Sequence, residues 1–144
     1  MIRNATELDI PELLCFAKEF LEYYPIDFGG NLTTIEPLLV KMVHSDILIV
    51  YEDGGVIVGV IGGIISPHLY SSTSIAAYET FLWVSKEYRN IGIADILINE
   101  FENKSMEEGC DIVIMTSTTR TPTFEKYLLI SGYSPVETSY MKRI

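Results

Sequence analysis

Apolar residues at Ile10, Leu13, Leu14, Ala17, Phe20, Leu21 and Tyr24 recur with the three-and-four spacing of one helix face. The pattern predicts an amphipathic helix entered at Asp9, with Glu12 three residues on to complete a capping box, and stopped by Pro25. A second helix is expected from Thr33 or Thr34, with Ile35, Leu38, Leu39 and Met42 turned inward. The period then changes. Ile2–Ala5, Ile47–Tyr51, Val56–Ile65 and Ile75–Val84 are β-branched, aromatic and apolar, and Asp53-Gly54 between the second and third of these is a hairpin turn.

A helical run resumes after residue 92, with Ile93, Ile96, Leu97 and Phe101 on one face and Gly109 as its end. Ile112–Met115 is a short apolar strand. Thr121-Pro122 is an N-cap followed by proline at the first helical position, opening a helix that runs through Ile130 to Gly132. Tyr133–Val136 and Ser139–Lys142 are expected as two last short strands. The order β-α-α-β-β-β-α-β-α-β-β, without repeat or linker, makes residues 1–144 a single mixed α/β domain with helices on both faces of a sheet.

Composition narrows the function classes. The 144 residues are 48% apolar and 21% charged, a globular balance that excludes disorder and fibrous folds. Ten basic residues against twenty acidic ones leave a net charge of −10. Nucleic acid and anionic membrane are therefore disfavoured partners, and a cationic one is favoured. Cys15 and Cys110 lack metal-ligand spacing and read as free thiols in a reducing compartment; no metal site is expected. The opening residues carry no signal-peptide pattern and no apolar run is long enough to span a bilayer, so a cytoplasmic location is expected. A homodimer is compatible with the sequence.

The chemistry concentrates at Arg89-Asn90-Ile91-Gly92-Ile93-Ala94, between an apolar strand and a helix. A helix N-terminus presents unpaired N–H groups and a partial positive charge. Gly92 and Ala94 let an anion approach the backbone closely, and Arg89 adds a full charge, which suits a pyrophosphate. A strand–glycine–helix turn is also an ordinary structural device, and neither a P-loop nor a dinucleotide fingerprint is present.

The element order and the Arg-x-x-Gly-x-Ala run together resemble the GNAT superfamily of acetyl-CoA-dependent N-acetyltransferases, and the resemblance spans nearly the whole chain. Residues Ile2–Thr6 with Asp9–Pro11 are similar to the family's opening, Phe81–Val84 to its fourth strand, and Gly132–Glu137 with Tyr140 and Lys142 to its ending. The resemblance implies a mixed, mostly antiparallel twisted sheet. It implies acetyl-CoA as co-substrate, with Arg89, Asn90, Ile91, Gly92, Ile93 and Ala94 at its pyrophosphate and Leu82, Trp83 and Val84 pairing with its pantetheine arm. It implies acetyl transfer to a primary amine by direct attack. The alternative is a non-catalytic acyl-CoA-binding or protein-interaction module of the same fold.

Direct attack needs a neutral amine, and deprotonating a lysine-like ammonium at pH 7 costs about 4.6 kcal/mol. A general base is therefore useful. Glu79, on the same apolar strand, is the candidate; a cross-strand or solvent-facing carboxylate is the other reading. Tyr127 is the candidate acid, although the family's tyrosine position, four residues before the glycine, holds Leu128, and a core or rim aromatic is the reading favoured over the acid. Tyr24, Asp27 and Phe28 lie where the family walls its acceptor site. An aromatic and carboxylate cluster there suits an organic cation, or forms a plain hydrophobic cap with a turn aspartate.

Overall fold

A computed structural model describes residues 1–24 and 31–144. Five strands form one sheet in sequential order: β1 (Ile2–Asn4), β2 (Ile47–Asp53), β3 (Val56–Pro67), β4 (Ile75–Val84) and β5 (Ile112–Ile114). The first three pairings are antiparallel and the last, β4 with β5, is parallel. The hairpin between β2 and β3 turns on Gly54 and Gly55, both at positive φ (58° and 84°), as a two-residue primed turn demands.

Helices α1 (Ile10–Tyr23) and α2 (Leu32–Ser45) cover one face of the sheet. Leu13, Phe16, Leu39 and Met42 there pack on Leu48, Val50, Ile57 and Val60. Helix α3 (Ile93–Glu107) covers the other face, where Leu97, Ile98 and Phe101 meet Ile47, Ile49, Ile61 and Ala77. Helix α4 (Pro122–Ile130) lies on this second side and adds Phe124 and Tyr127 to the same cluster.

Several local expectations shift by a turn or less. Asp9 makes no cap bond to α1. Its carboxylate accepts the backbone N–H and hydroxyl of Thr6, at 2.7 and 3.0 Å, around a one-turn 3-10 helix at Glu7–Asp9. Glu12 is thereby released from capping, and accepts the Ile57 N–H at 3.0 Å, pinning α1 to β3. The cap of α2 is Asn31 rather than a threonine, its side chain accepting from the Thr34 N–H. Ile96 sits on the outer side of α3 at 40% exposure, and Ile98 takes the inner position. The two last strands do not form. Pro135 removes a ladder donor from the first of them, and apart from the half-buried Tyr133 the residues after Gly132 are exposed.

Arg3 on β1 holds the opening together. Its guanidinium donates to both Asp9 carboxylate oxygens, at 2.8 and 2.9 Å, and to Glu52 of β2 at 2.9 Å. The hydrogen bonds from Arg3, ahead of those from Thr6, pull the Asp9 carboxyl down to about 2 from its ordinary 3.8. That lowering stabilises the fold above pH 3.8 and is lost as pH falls through about 2. Arg3→Ala should therefore cost about 1–2 kcal/mol in urea unfolding at pH 7. The difference from the parent should shrink as Asp9 protonates; an undiminished gap at pH 2 would assign the loss to packing instead.

Candidate active site

The site is organised by a bulge in β4. Gly62 of β3 pairs with Phe81, but its neighbour Gly63 pairs with Glu79, so Thr80 is an extra residue on β4. The Thr80 hydroxyl donates to the Gly62 carbonyl at 3.1 Å across the bulge. The inserted residue changes which side chains face which layer. Gly63 looks onto Phe101 of α3, so its partner Glu79 points to that side too. Phe81 and Trp83 point to the opposite side, beneath α1.

Glu79 is 7% exposed and makes no ion pair among the described residues. One carboxylate oxygen accepts the Thr116 backbone N–H at 3.0 Å. Burial pushes the carboxyl up to about 7, while the Thr116 bond pulls in the opposite direction. A buried carboxyl that titrates near neutrality is suited to take and release protons.

Beyond the bulge, β4 has an open edge. Among the described residues its pairing with β5 covers Ala76, Ala77 and Tyr78 alone, and the chain leaves the sheet after Ile114. The Ser85 N–H donates to Val58 on the β3 side, and the Val84 carbonyl accepts the Arg89 Nε at 2.8 Å. Backbone groups alternate along an antiparallel strand, so Val84 and Leu82 direct theirs to the open edge. The side chains of Leu82 and Val84 pack under α3. Trp83 is held by its Nε1–H on Glu19 at 2.9 Å and by Phe20 and Tyr23, edge-on at 6.3 and 5.6 Å.

The loop into α3 is twisted by two left-handed residues, Asn90 at φ 63° and Gly92 at φ 89°. Gly92 caps the helix with its carbonyl, which accepts from Ile96 at 3.1 Å. Residues 93–95 begin the helix, so their N–H groups lack intrahelical partners and point out of its first turn. The space before Gly92 is open: an added Cβ would meet nothing within 4 Å. Ile93 anchors the turn in the core, while Ile91 is exposed. Arg89 is less available to an anion than its charge suggests, because its guanidinium lies 4.6 Å over the Trp83 ring and is bonded to Val84.

The other candidates divide between the two faces. Tyr127 stacks on Phe124, centroids 6.0 Å apart, on the α3 side with Glu79; burial first, then Asp95 and Glu102, push its hydroxyl up. Tyr24 is on the α1 side, its ring 5.9 Å from Phe20. Asp27 and Phe28 lie outside the described residues. Cys110 is buried and its thiol is pushed up chiefly by that burial, the opposite of what a nucleophile needs.

Several contacts have no sequence signature. The Thr116 N–H, Glu19 and the reciprocal pair between Tyr23 and Arg120 (hydroxyl to carbonyl and guanidinium to carbonyl, each 3.1 Å) all join elements far apart in the chain. The bulge did leave a trace, in the Gly62-Gly63 pair within an otherwise branched strand.

Comparison with known proteins bears on this arrangement directly. Residues 14–126 match the model of the acetyltransferase (GNAT) family. No curated protein matches the sequence significantly. Among solved structures, an aminoglycoside N-acetyltransferase in complex with CoA superimposes with TM-score 0.80 at 15% identity, covering 100% of this chain and 93% of the other. A predicted acetyltransferase of Clostridium acetobutylicum with acetyl-CoA gives 0.79 at 16% identity, covering 99% and 95%. The ribosomal-protein-alanine N-acetyltransferase of Brucella melitensis biovar Abortus 2308 gives 0.76 at 15% identity, covering 100% and 99%. At such identities the likeness is one of fold, but the family match extends over well over half of the 144 residues, and on that ground the chain belongs to the GNAT family of acetyltransferases.

Proposed function

We propose that the protein transfers an acetyl group from acetyl-CoA to a primary amine, with Glu79 as the base. The observation that carries this reading is the placement of a buried, near-neutral carboxyl at the point where β4 loses its partner strand. The residues present suit the co-substrate. Leu82 offers a backbone N–H and carbonyl to the amides of a pantetheine arm, and residues 92–95 offer N–H groups and an open approach to its pyrophosphate.

Acetyl-CoA supplies an acyl group already activated as a thioester. Glu79, directly or through a water, takes the proton from the ammonium so that nitrogen can attack. An N–H on the open β4 edge is placed to stabilise charge growing on the carbonyl oxygen, a contribution worth roughly 2.7–4 kcal/mol. As the carbon–nitrogen bond forms and the carbon–sulfur bond breaks, the departing sulfur needs a proton. Tyr127 lies on the Glu79 side and keeps its own at neutral pH, as a donor must.

Gly92→Val should weaken CoA binding at least 10-fold in calorimetry, about 1.4 kcal/mol. A branched side chain is strained at φ 89° and fills the open approach. Unchanged affinity would move the pyrophosphate elsewhere. An amine panel with thiol detection tests the reaction itself: free CoA appearing with a suitable amine is expected. Tight CoA binding with no turnover on any amine would instead assign a non-catalytic acyl-CoA module.

A further inference from the structure

A polar cavity of about 270 Å³ lies where α2 ends, β2 begins and α3 ends. It shares no residue with the Glu79 site. Ile47 pairs with Gly63 and Gly63 with Glu79, so two strand spacings, about 10 Å, separate the start of β2 from that carboxyl.

Asp46 lines this cavity, and its side chain is 4% exposed. One carboxylate oxygen is used: Oδ1 accepts the Ile65 N–H of β3 at 3.0 Å. The other, Oδ2, is buried and accepts no hydrogen bond among the described residues. The Lys41 ammonium stands 3.2 Å from Oδ2 but outside hydrogen-bonding geometry, and its own side chain is more than half exposed. A buried carboxylate oxygen in this state is costly, and a donor seated in the cavity relieves it.

The surroundings favour a positive occupant. Val43, His44 and Ser45 line the cavity from the last turn of α2, whose carbonyls lack partners within the helix and form the negative end of its dipole. Glu108 lines it from the cap of α3. The nearby cations are engaged elsewhere: Lys104 with Glu107 and Glu108 at 3.1 and 3.4 Å, and the His44 ring with Glu7. Lys41 already brings an ammonium close and leaves Oδ2 unbonded, so charge alone is not what is missing. A planar guanidinium carries several N–H donors in a fixed fork, and reaches an oxygen and neighbouring carbonyls together.

We propose that this cavity binds a guanidinium group, carried by a small molecule or by an arginine side chain, with one edge on Asp46 Oδ2 and the other on the end of α2. A cavity of about 150 Å³ takes benzene, so the volume here admits the group with a short aliphatic tail. The site is separate from acyl transfer, and its occupant is not the acetylated amine. Asp46 ties it to the sheet through Ile65, which pairs with Ala77, two residues before Glu79.

Amide NMR on the full-length protein at constant ionic strength reads the site directly, because the Ile65 N–H bonds to the same carboxylate. Methylguanidinium is titrated beside methylammonium and beside methylurea, its neutral near-isostere. Saturable shifts at Asp46, Ile65 and Lys104 are expected with methylguanidinium, with a midpoint on the order of millimolar, at least about 10-fold weaker binding of methylammonium and no response to methylurea. An acetyl-Gly-Arg-Gly-amide peptide that binds more tightly than methylguanidinium names a protein arginine as the source, and weaker binding names a free small molecule. Asp46→Asn keeps an acceptor for Ile65 but puts N–H donors in place of Oδ2, and should raise the midpoint at least about 10-fold. Lys41→Met removes the competing ammonium and should lower it at least about 3-fold, a readout that does not depend on the first variant folding. No saturable shift at the three amides up to about 100 mM methylguanidinium, an equal response to methylurea, or a parental midpoint in Asp46→Asn overturns the proposal.

Discussion

Glu79→Gln is expected to lower kcat for amine acetylation by about 10²–10⁴-fold, the span of a lost general base. It should also erase a pH limb. In the parent, kcat should rise through pH about 7 as the carboxyl ionises, because only the carboxylate accepts a proton. The variable is kcat rather than kcat/KM because the latter also follows ionisation of the free amine. Stability should move the other way. The folded carboxyl titrates well above its ordinary 4.5, so its contribution is fully present below 4.5 and is lost as pH rises through about 7. The span corresponds to an effect on the order of 3 kcal/mol. Glutamine has the size of the protonated acid and can still accept the Thr116 N–H, so the variant should gain most of that amount over the parent at pH 8. Urea midpoints at pH 5 and pH 8 read it. A variant that retains turnover with the parental pH profile would remove Glu79 from the reaction.

Gly63→Ala should destabilise the fold by about 3 kcal/mol, at the upper end of overpacking, and lower Tm by roughly 10 °C. A Cβ at this glycine would stand 2.5 and 2.6 Å from the Phe101 ring and 2.7 Å from the Tyr78 carbonyl oxygen. Phe101 is a fully buried residue of α3, packed in the core against β2, β3 and β4, so its ring is not the free end of a flexible side chain. The Tyr78 carbonyl belongs to the strand that pairs with β3, and shifting it moves Glu79 next door. The adjacent Gly62 is a useful contrast. Its Cβ would meet the Phe81 ring at 2.7 Å and Leu48 at 3.2 Å, both side chains. Phe81 borders an apolar cavity between α1, α2 and β4 and has room to turn, so Gly62→Ala should cost less. Equal melting points for the two variants, measured by calorimetry, would refute this account of the glycine pair.

Much of the fold was legible because its main elements obey local rules. Strand β4 runs from Ile75 to Val84 as its composition predicts, the Asp53-Gly54 turn opens a hairpin, and Thr121-Pro122 starts α4. What was not legible depends on partners distant in sequence. Asp9 looks like a helix cap until Arg3, six residues away but on β1, claims its carboxylate. Glu12 looks like the other half of that cap until β3 presents an unpaired N–H. In the candidate site, Glu79 could be singled out from its setting in an apolar strand, but its direction could not. Simple alternation fails at Thr80, and only the pairing with Gly62 and Gly63 shows which layer each side chain enters. Arg89 likewise reads as a free charge for an anion, whereas Trp83 and the Val84 carbonyl hold it.

The sequential strand order also sets a timetable. Strands β2, β3 and β4 are neighbours in the chain, so their pairings close short loops, whereas β1 and β5 must wait for intervening helices. As the chain emerges from the ribosome, α1 and α2 are already available to cover one side of this meander. The other side, with Ile47, Ile49, Ile61 and Ala77, stays bare until residues 93–107 follow. For that interval the nascent sheet is half clothed, and a holdase that shields its naked side has a window that shuts when α3 arrives.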